Sequence, residues 1–169
     1  MHAEGTPSDW LTRWANQLPR HGRALDVACG AGRHARWLCQ HGLQVTAVDR
    51  DGQALQHLPA TVNAVQADLE QGHWPLCSNG FDVVLVTNYL WRPLWPALLA
   101  SVAPGGWLIY ETFAHGQERL GRPSRPAFLL APGELLGVCA AWRVHAYEDT
   151  TLAQPERRVQ RIAAQRPPG

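Results

Sequence analysis

Short apolar runs alternate with segments of helical character along most of this chain, and that alternation constrains the fold more than any other feature. Residues 24–28, 45–48, 62–67, 81–87 and 107–112 read as strands, the fourth containing the run VVLV expected of a strand buried on both faces. Between them, residues 32–41, 52–58 and 93–102 read as helices, followed by the breakers Gly42, Pro59 and the APGG stretch. An amphipathic helix over 10–18, capped by Ser8 or Asp9 and stopped at Pro19, precedes the first strand. After a Gly/Pro/Arg-rich loop at 113–131, a helix near 132–138 leads to two last strands, about 142–148 and 157–164, joined as a hairpin. The expected fold is α/β: a Rossmann-like doubly wound sheet of about seven strands in three α/β/α layers, mostly parallel with one antiparallel edge strand.

At 169 residues the chain suits one domain, with a helix at 8–18, a core over 23–165 and a disordered tail at 166–169. A separate substrate domain does not fit, so any site must be built within the one sheet. The formal net charge of +1 and the apolar fraction of 46% point away from disorder and from a broad nucleic-acid-binding face. All 15 basic side chains are arginine, which excludes Schiff-base chemistry and a lysine base. Cys29, Cys39, Cys77 and Cys139 are scattered without a CxxC pair, so neither a metal site nor a disulfide framework is expected. The opening MHAEGTPSDW has no basic stretch followed by an apolar one, and no run approaches a membrane span; a cytoplasmic protein is expected.

The stretch ALDVACGAGR, residues 24–33, carries the chemistry. Ala28, Gly30, Ala31 and Gly32 remove the side chains that would keep a ligand from the backbone, and the helix after them offers free N–H groups. Asp26, Asp49 and Asp68 fall in or just after three successive strands, along the crevice where open α/β sheets bind ligands. Asp49 is placed to accept from both hydroxyls of a ribose, and Asp68 from the amine of adenine. A dinucleotide remains an alternative, since Gly30, Gly32 and Ala35 satisfy G-x-G-x-x-G/A and Asp49 follows at the spacing of a ribose acid. Asp26 argues against it, because a carboxylate before the glycine turn repels a pyrophosphate and attracts an ammonium. S-adenosylmethionine carries an ammonium and a sulfonium and has no phosphate. Cys29 reads as a small packing residue, with no base placed to activate it.

These residues resemble those of the class I S-adenosylmethionine-dependent methyltransferases: DVACGAGR is similar to that family's first motif, VTAVDRD to its second and QADLE to its third. The resemblance implies that residues 28–32, Cys29 among them, hold the methionine part, Asp49 the ribose, and Asp68 with Leu69 the adenine. Arg33 and Arg50 lie inside these motifs and join the cofactor-binding set, and Asn88 matches a position that contacts the cofactor from the acceptor side. The later stretch YETFAHGQERLGRPSRPAFLLAPGEL is similar to the tellurite-resistance or type 11 subgroup, whose Gly-Asn-Glu is here Gly116-Gln117-Glu118. Ala28 stands where the family often has glycine.

On the acceptor side, Asn88, Tyr89, Trp91 and Trp95 and residues 110–115 are candidate walls, with aromatic faces suited to a sulfonium. Asn88-Tyr89-Leu90-Trp91 differs from the Asn-Pro-Pro-aromatic pattern of base-amine methylation, so a small-molecule acceptor is expected rather than nucleic acid. Arg92, Arg119, Arg122 and Arg125 are candidates to hold an anion or carboxylate. A thiol or chalcogen oxyanion needs no base; for a hydroxyl or amine, His115 or Glu111 is the candidate, and Tyr89 completes the catalytic set. A nicotinamide-dependent oxidoreductase and a fold-retaining binding protein without turnover are the competing readings. The helix at 8–18 is a candidate lid, and nothing in the sequence sets the oligomeric state.

Overall fold

The computed structural model describes residues 5–76, 78 and 80–169; Cys77 and the first four residues of the expected leaderless start lie outside them. Seven strands form one sheet in the order β3-β2-β1-β4-β5-β7-β6. They are β1 (Arg23–Val27), β2 (Gln44–Asp49), β3 (Asn63–Gln66), β4 (Phe81–Thr87), β5 (Val102–Phe113), β6 (Arg143–Leu152) and β7 (Arg157–Gln165). The first five are parallel, and β7 runs antiparallel between β5 and β6. The chain winds outward from β1 to β3, then returns to β4 on the other side. That reversal between β1 and β4 opens a crevice at the strands' carboxyl ends.

Alternation along each strand feeds two cores. Leu25, Val27, Val84, Val86, Leu108 and Tyr110 face one layer, which includes α4 (Trp95–Ser101) and α5 (Glu134–Val138). Ala24, Val45, Ala47, Val83, Leu85 and Ile109 face the other, which includes α1 (Asp9–Arg13), α2 (Arg33–Gln40) and α3 (Gly52–Leu55). The period of two has a direct consequence for the site. It turns Asp26 and Glu111 toward the α1/α2 layer, and Thr112 toward the other.

Several boundaries differ from expectation for visible reasons. α1 stops at Arg13 because bonds from Ala15 N to Thr12 O and Gln17 N to Trp14 O tighten the rest into turns. The APGG stretch, expected to be a turn, lies within β5 as an irregularity where the pairing register with β4 shifts. The expected tail is anchored at its start: Arg166 N donates to Gly106 O, and Gly105 N to Arg166 O. Gly32, at the head of α2, has φ +86, a left-handed backbone that favours glycine, and an added Cβ would sit 2.0 Å from Leu58 Cδ2 in the turn after α3. No helix among the described residues is long and apolar enough to cross a membrane.

Candidate functional site

The crevice has two lobes that meet at Ala28 and Asn88, residues lining both. One, of about 510 Å3, runs past Asp49, Arg50, residues 67–70 and Tyr89 to Thr112, Phe113, Pro123 and Phe128. The other, of about 750 Å3, follows the glycine turn from Cys29 to Arg33 and reaches His34, Arg36, His57 and Thr87. Ala28 and Asn88 both take left-handed backbone, at φ 54 and 55. Such strain in non-glycine residues costs on the order of 1 kcal/mol each and is characteristic of ligand-facing turns.

The three carboxylates differ in their surroundings. Asp49 Oδ2 accepts from Gly30 N at 2.8 Å and Oδ1 from Asp51 N at 2.9 Å, so it braces the glycine turn while keeping lone pairs for the crevice. Asp68 Oδ1 accepts from Glu70 N at 3.0 Å. Asp26 is 1% exposed, and its Oδ2 has no hydrogen-bond partner. Burial pushes its carboxyl up to about 7, against the opposing pull of the Ala35 N–H and the Arg33 guanidinium. Arg33 donates to Thr6 O at 3.0 Å, tying residues 5–8 across the turn, and burial lowers its pKa. Burial, together with Asp26 and Asp49, raises the Cys29 thiol far above its ordinary value, as expected for a packing residue. Tyr89 is pushed up to about 12 by burial, so near neutral pH its hydroxyl serves as a donor.

Residues 24–105, just under half the chain, match the methyltransferase domain family. YqeM of Bacillus subtilis (strain 168), which bears a methyltransferase name, is 36% identical over 61 residues, 36% of this chain and 25% of that protein; the match spans a quarter of this relative's length. The fold is shared with an S-adenosylmethionine-dependent methyltransferase of Mesorhizobium loti, at TM-score 0.71 and 17% identity over 92% of this chain and 96% of that one. A SAM-dependent methyltransferase of Methanosarcina mazei aligns at TM-score 0.73 and 13% identity, covering 97% and 100% of the two chains. TehB of Haemophilus influenzae aligns at TM-score 0.72 and 17% identity, covering 97% of this chain and 63% of that one. The chain has the fold of these methyltransferases, and residues 24–105 match the methyltransferase domain family. The crevice suits S-adenosylmethionine: an added Cβ at Gly30 would meet nothing within 4 Å, and behind the glycine turn one buried oxygen of Asp26 lacks a partner.

Asp49, Arg50, Asp68, Leu69, Asn88 and Tyr89 line the first lobe, and Ala28, Cys29, Gly30, Gly32, Arg33 and Asn88 the second. Asp26 lies behind the turn rather than on the crevice wall. Other expected residues are placed elsewhere. Glu111 is 5% exposed and its Oε2 accepts from Arg161 Nη1 at 3.1 Å, while its Oε1 accepts from Ser8 Oγ at 2.9 Å; it is a structural ion-pair partner rather than a base. His115 is exposed and lines neither lobe, its backbone N–H held by Leu130 O. Arg92 is clamped by both oxygens of Glu134, at 2.6 and 3.0 Å, and by Ala127 O and Leu129 O, so it holds a loop rather than an anion. Trp91 is half-buried and lines neither lobe. Arg119 and Arg122 are exposed and line neither lobe, Arg122 directly preceding Pro123 of the first lobe's wall.

Sequence reasoning did not single out Pro123, Phe128, His34, Arg36 or His57. Only the Gly/Pro/Arg richness of the 113–131 loop hinted at the first two. His34 Nε2 accepts from Ser8 N at 3.0 Å, a partnership across 26 residues that no local pattern announces.

Proposed function

We propose that this protein is an S-adenosylmethionine-dependent methyltransferase acting on a small molecule. The ordered row of carboxylates, Asp26 behind the glycine turn and Asp49 and Asp68 at the next strand ends, carries this reading. Asp49 keeps lone pairs for the two ribose hydroxyls, and Asp68 with Leu69 meets adenine. The unpartnered oxygen of Asp26 supplies negative charge behind the turn that holds the ammonium. When bound, S-adenosylmethionine presents a methyl on a sulfonium, and the acceptor's lone pair forms the new bond as the carbon–sulfur pair stays on sulfur.

The chain's contribution is alignment and exclusion of water. Tyr89, Leu90, Phe113 and Phe128 enclose the end of the first lobe beyond the strand ends. Tyr89, with its raised pKa, can donate but not abstract a proton there. Glu111 and His115, the base candidates read from the sequence, line neither lobe, which favours an acceptor atom already nucleophilic: a thiolate, a chalcogen oxyanion or a carboxylate. A pyrophosphate-bearing cofactor is disfavoured, since the Gly30 N–H is engaged by Asp49 and the buried Asp26 lies behind the turn.

Calorimetric titration with S-adenosylmethionine and with NAD tests the cofactor half. The expected result is a dissociation constant on the order of 1–100 μM for S-adenosylmethionine, within the usual range of enzyme ligands, and none measurable for NAD. A labelled-methyl assay over thiols, chalcogen oxyanions and small carboxylates tests turnover. Binding of NAD without S-adenosylmethionine would overturn the proposal.

A further inference from the structure

Between β5 and α5 the chain passes over the acceptor end of the crevice, where its Pro123 and Phe128 form part of the wall. Arg119, Arg122 and Arg125 punctuate this loop, against one acid, Glu118. All three arginines are exposed. Among the described residues none of their guanidinium groups forms a hydrogen bond or ion pair; Arg119 has only the electrostatic influence of its neighbour Glu118, whose Oε2 is engaged by Gly116 N.

The frame beneath them is fixed. Gln117, 4% exposed, accepts from Arg158 N at 2.8 Å and donates to Arg122 O at 3.1 Å. The Arg92 guanidinium ties down Ala127 and Leu129 through their carbonyls. A loop whose backbone is already held has little backbone freedom left to lose on binding an anion, so the cost of binding falls on the arginine side chains alone. Guanidinium forks suit carboxylates and other planar oxyanions.

We propose that Arg119, Arg122 and Arg125 form a cationic rim that selects a small organic anion as methyl acceptor, the apolar wall of Leu90, Phe113 and Phe128 holding its carbon skeleton. This rests on the methyltransferase reading above. The near-neutral net charge of the whole chain and the enclosed lobe favour a small anion over a nucleic acid.

The test compares three thiols of one carbon skeleton, ending in a carboxylate, a neutral amide or an amine, as acceptors in the labelled-methyl assay. The carboxylate is expected to exceed the amide in kcat/KM by about tenfold, equivalent to roughly one desolvated charge contact, and added salt should shrink that ratio. In the triple variant Arg119→Ala, Arg122→Ala, Arg125→Ala, the ratio should fall to about one. These side chains are exposed, so the variant is expected to fold, which a thermal melt verifies. A ratio near one in the parent protein, a preference for the amide or amine, or competition by an oligonucleotide but not by small carboxylates would overturn the rim. Absence of transfer to these thiols and to the chalcogen oxyanions and small carboxylates of the wider panel, with S-adenosylmethionine still bound by calorimetry, would instead overturn the methyltransferase reading beneath it.

Discussion

Asp26 holds a carboxyl in the interior with one oxygen unanswered, and the consequence appears as a pH dependence. Because burial raises its folded-state pKa to about 7 from 3.8, the unfolded chain sheds this proton before the folded one does. Stability should therefore fall between these two values and level off above about pH 7, by about 4 kcal/mol in all. Urea denaturation across that interval measures the fall, and Asp26→Asn should flatten it. An ammonium arriving nearby favours the ionised form, so cofactor binding should strengthen as pH rises toward 7 and should release a proton at about pH 6. Calorimetry in two buffers of different ionisation enthalpy reads that proton; identical heats would remove Asp26 from the ammonium's neighbourhood. The three aspartates were legible in the sequence because strand periodicity and the glycine turn place them locally. Arg92 was not, since its fate depends on Glu134, 42 residues away, which no spacing reveals.

At the scale of elements, β5 shows how a misread side chain follows from a correctly read strand. Residues 107–112 were recognisable as a strand, but Glu111 faces α1, where Arg161 from β7 gathers Glu111, Glu148 and Asp9 around one guanidinium. Removing one member of a buried pair leaves the other uncompensated. In Glu111→Ala, however, the Arg161 guanidinium keeps Glu148 and Asp9, so the loss in urea denaturation should be about 2 kcal/mol, the size of one hydrogen bond to a charged group. A catalytic base would instead show lost turnover at unchanged stability. α1, read from sequence as a candidate lid, is fastened by the same network and by Trp10, which is fully buried and donates to Ile162 O at 3.1 Å. Amphipathic periodicity marks a helix with a face to bury; it does not say whether that face is ever released.

Across the whole molecule, the strand count and layer arrangement were readable because alternating strands and helices admit few topologies. Placing β7 between β5 and β6 was less so, since a hairpin pattern alone does not say which of its strands meets the sheet. Hydrogen exchange with and without S-adenosylmethionine should slow residues 28–33, 49–52, 68–70 and 88–90, which border the crevice, and leave residues 9–13 unchanged. Newly slowed exchange throughout α1 would restore it as a closing element. The two lobes meet at Ala28 and Asn88, and this seam divides the chain's labour by position along its length. In the function proposed above, the first ninety or so residues furnish most of the socket for the methyl donor, whereas the loop after β5 joins Leu90 and Phe113 in meeting the acceptor. A molecule organised in this way can change its clientele by rewriting that loop, leaving the socket as it stands.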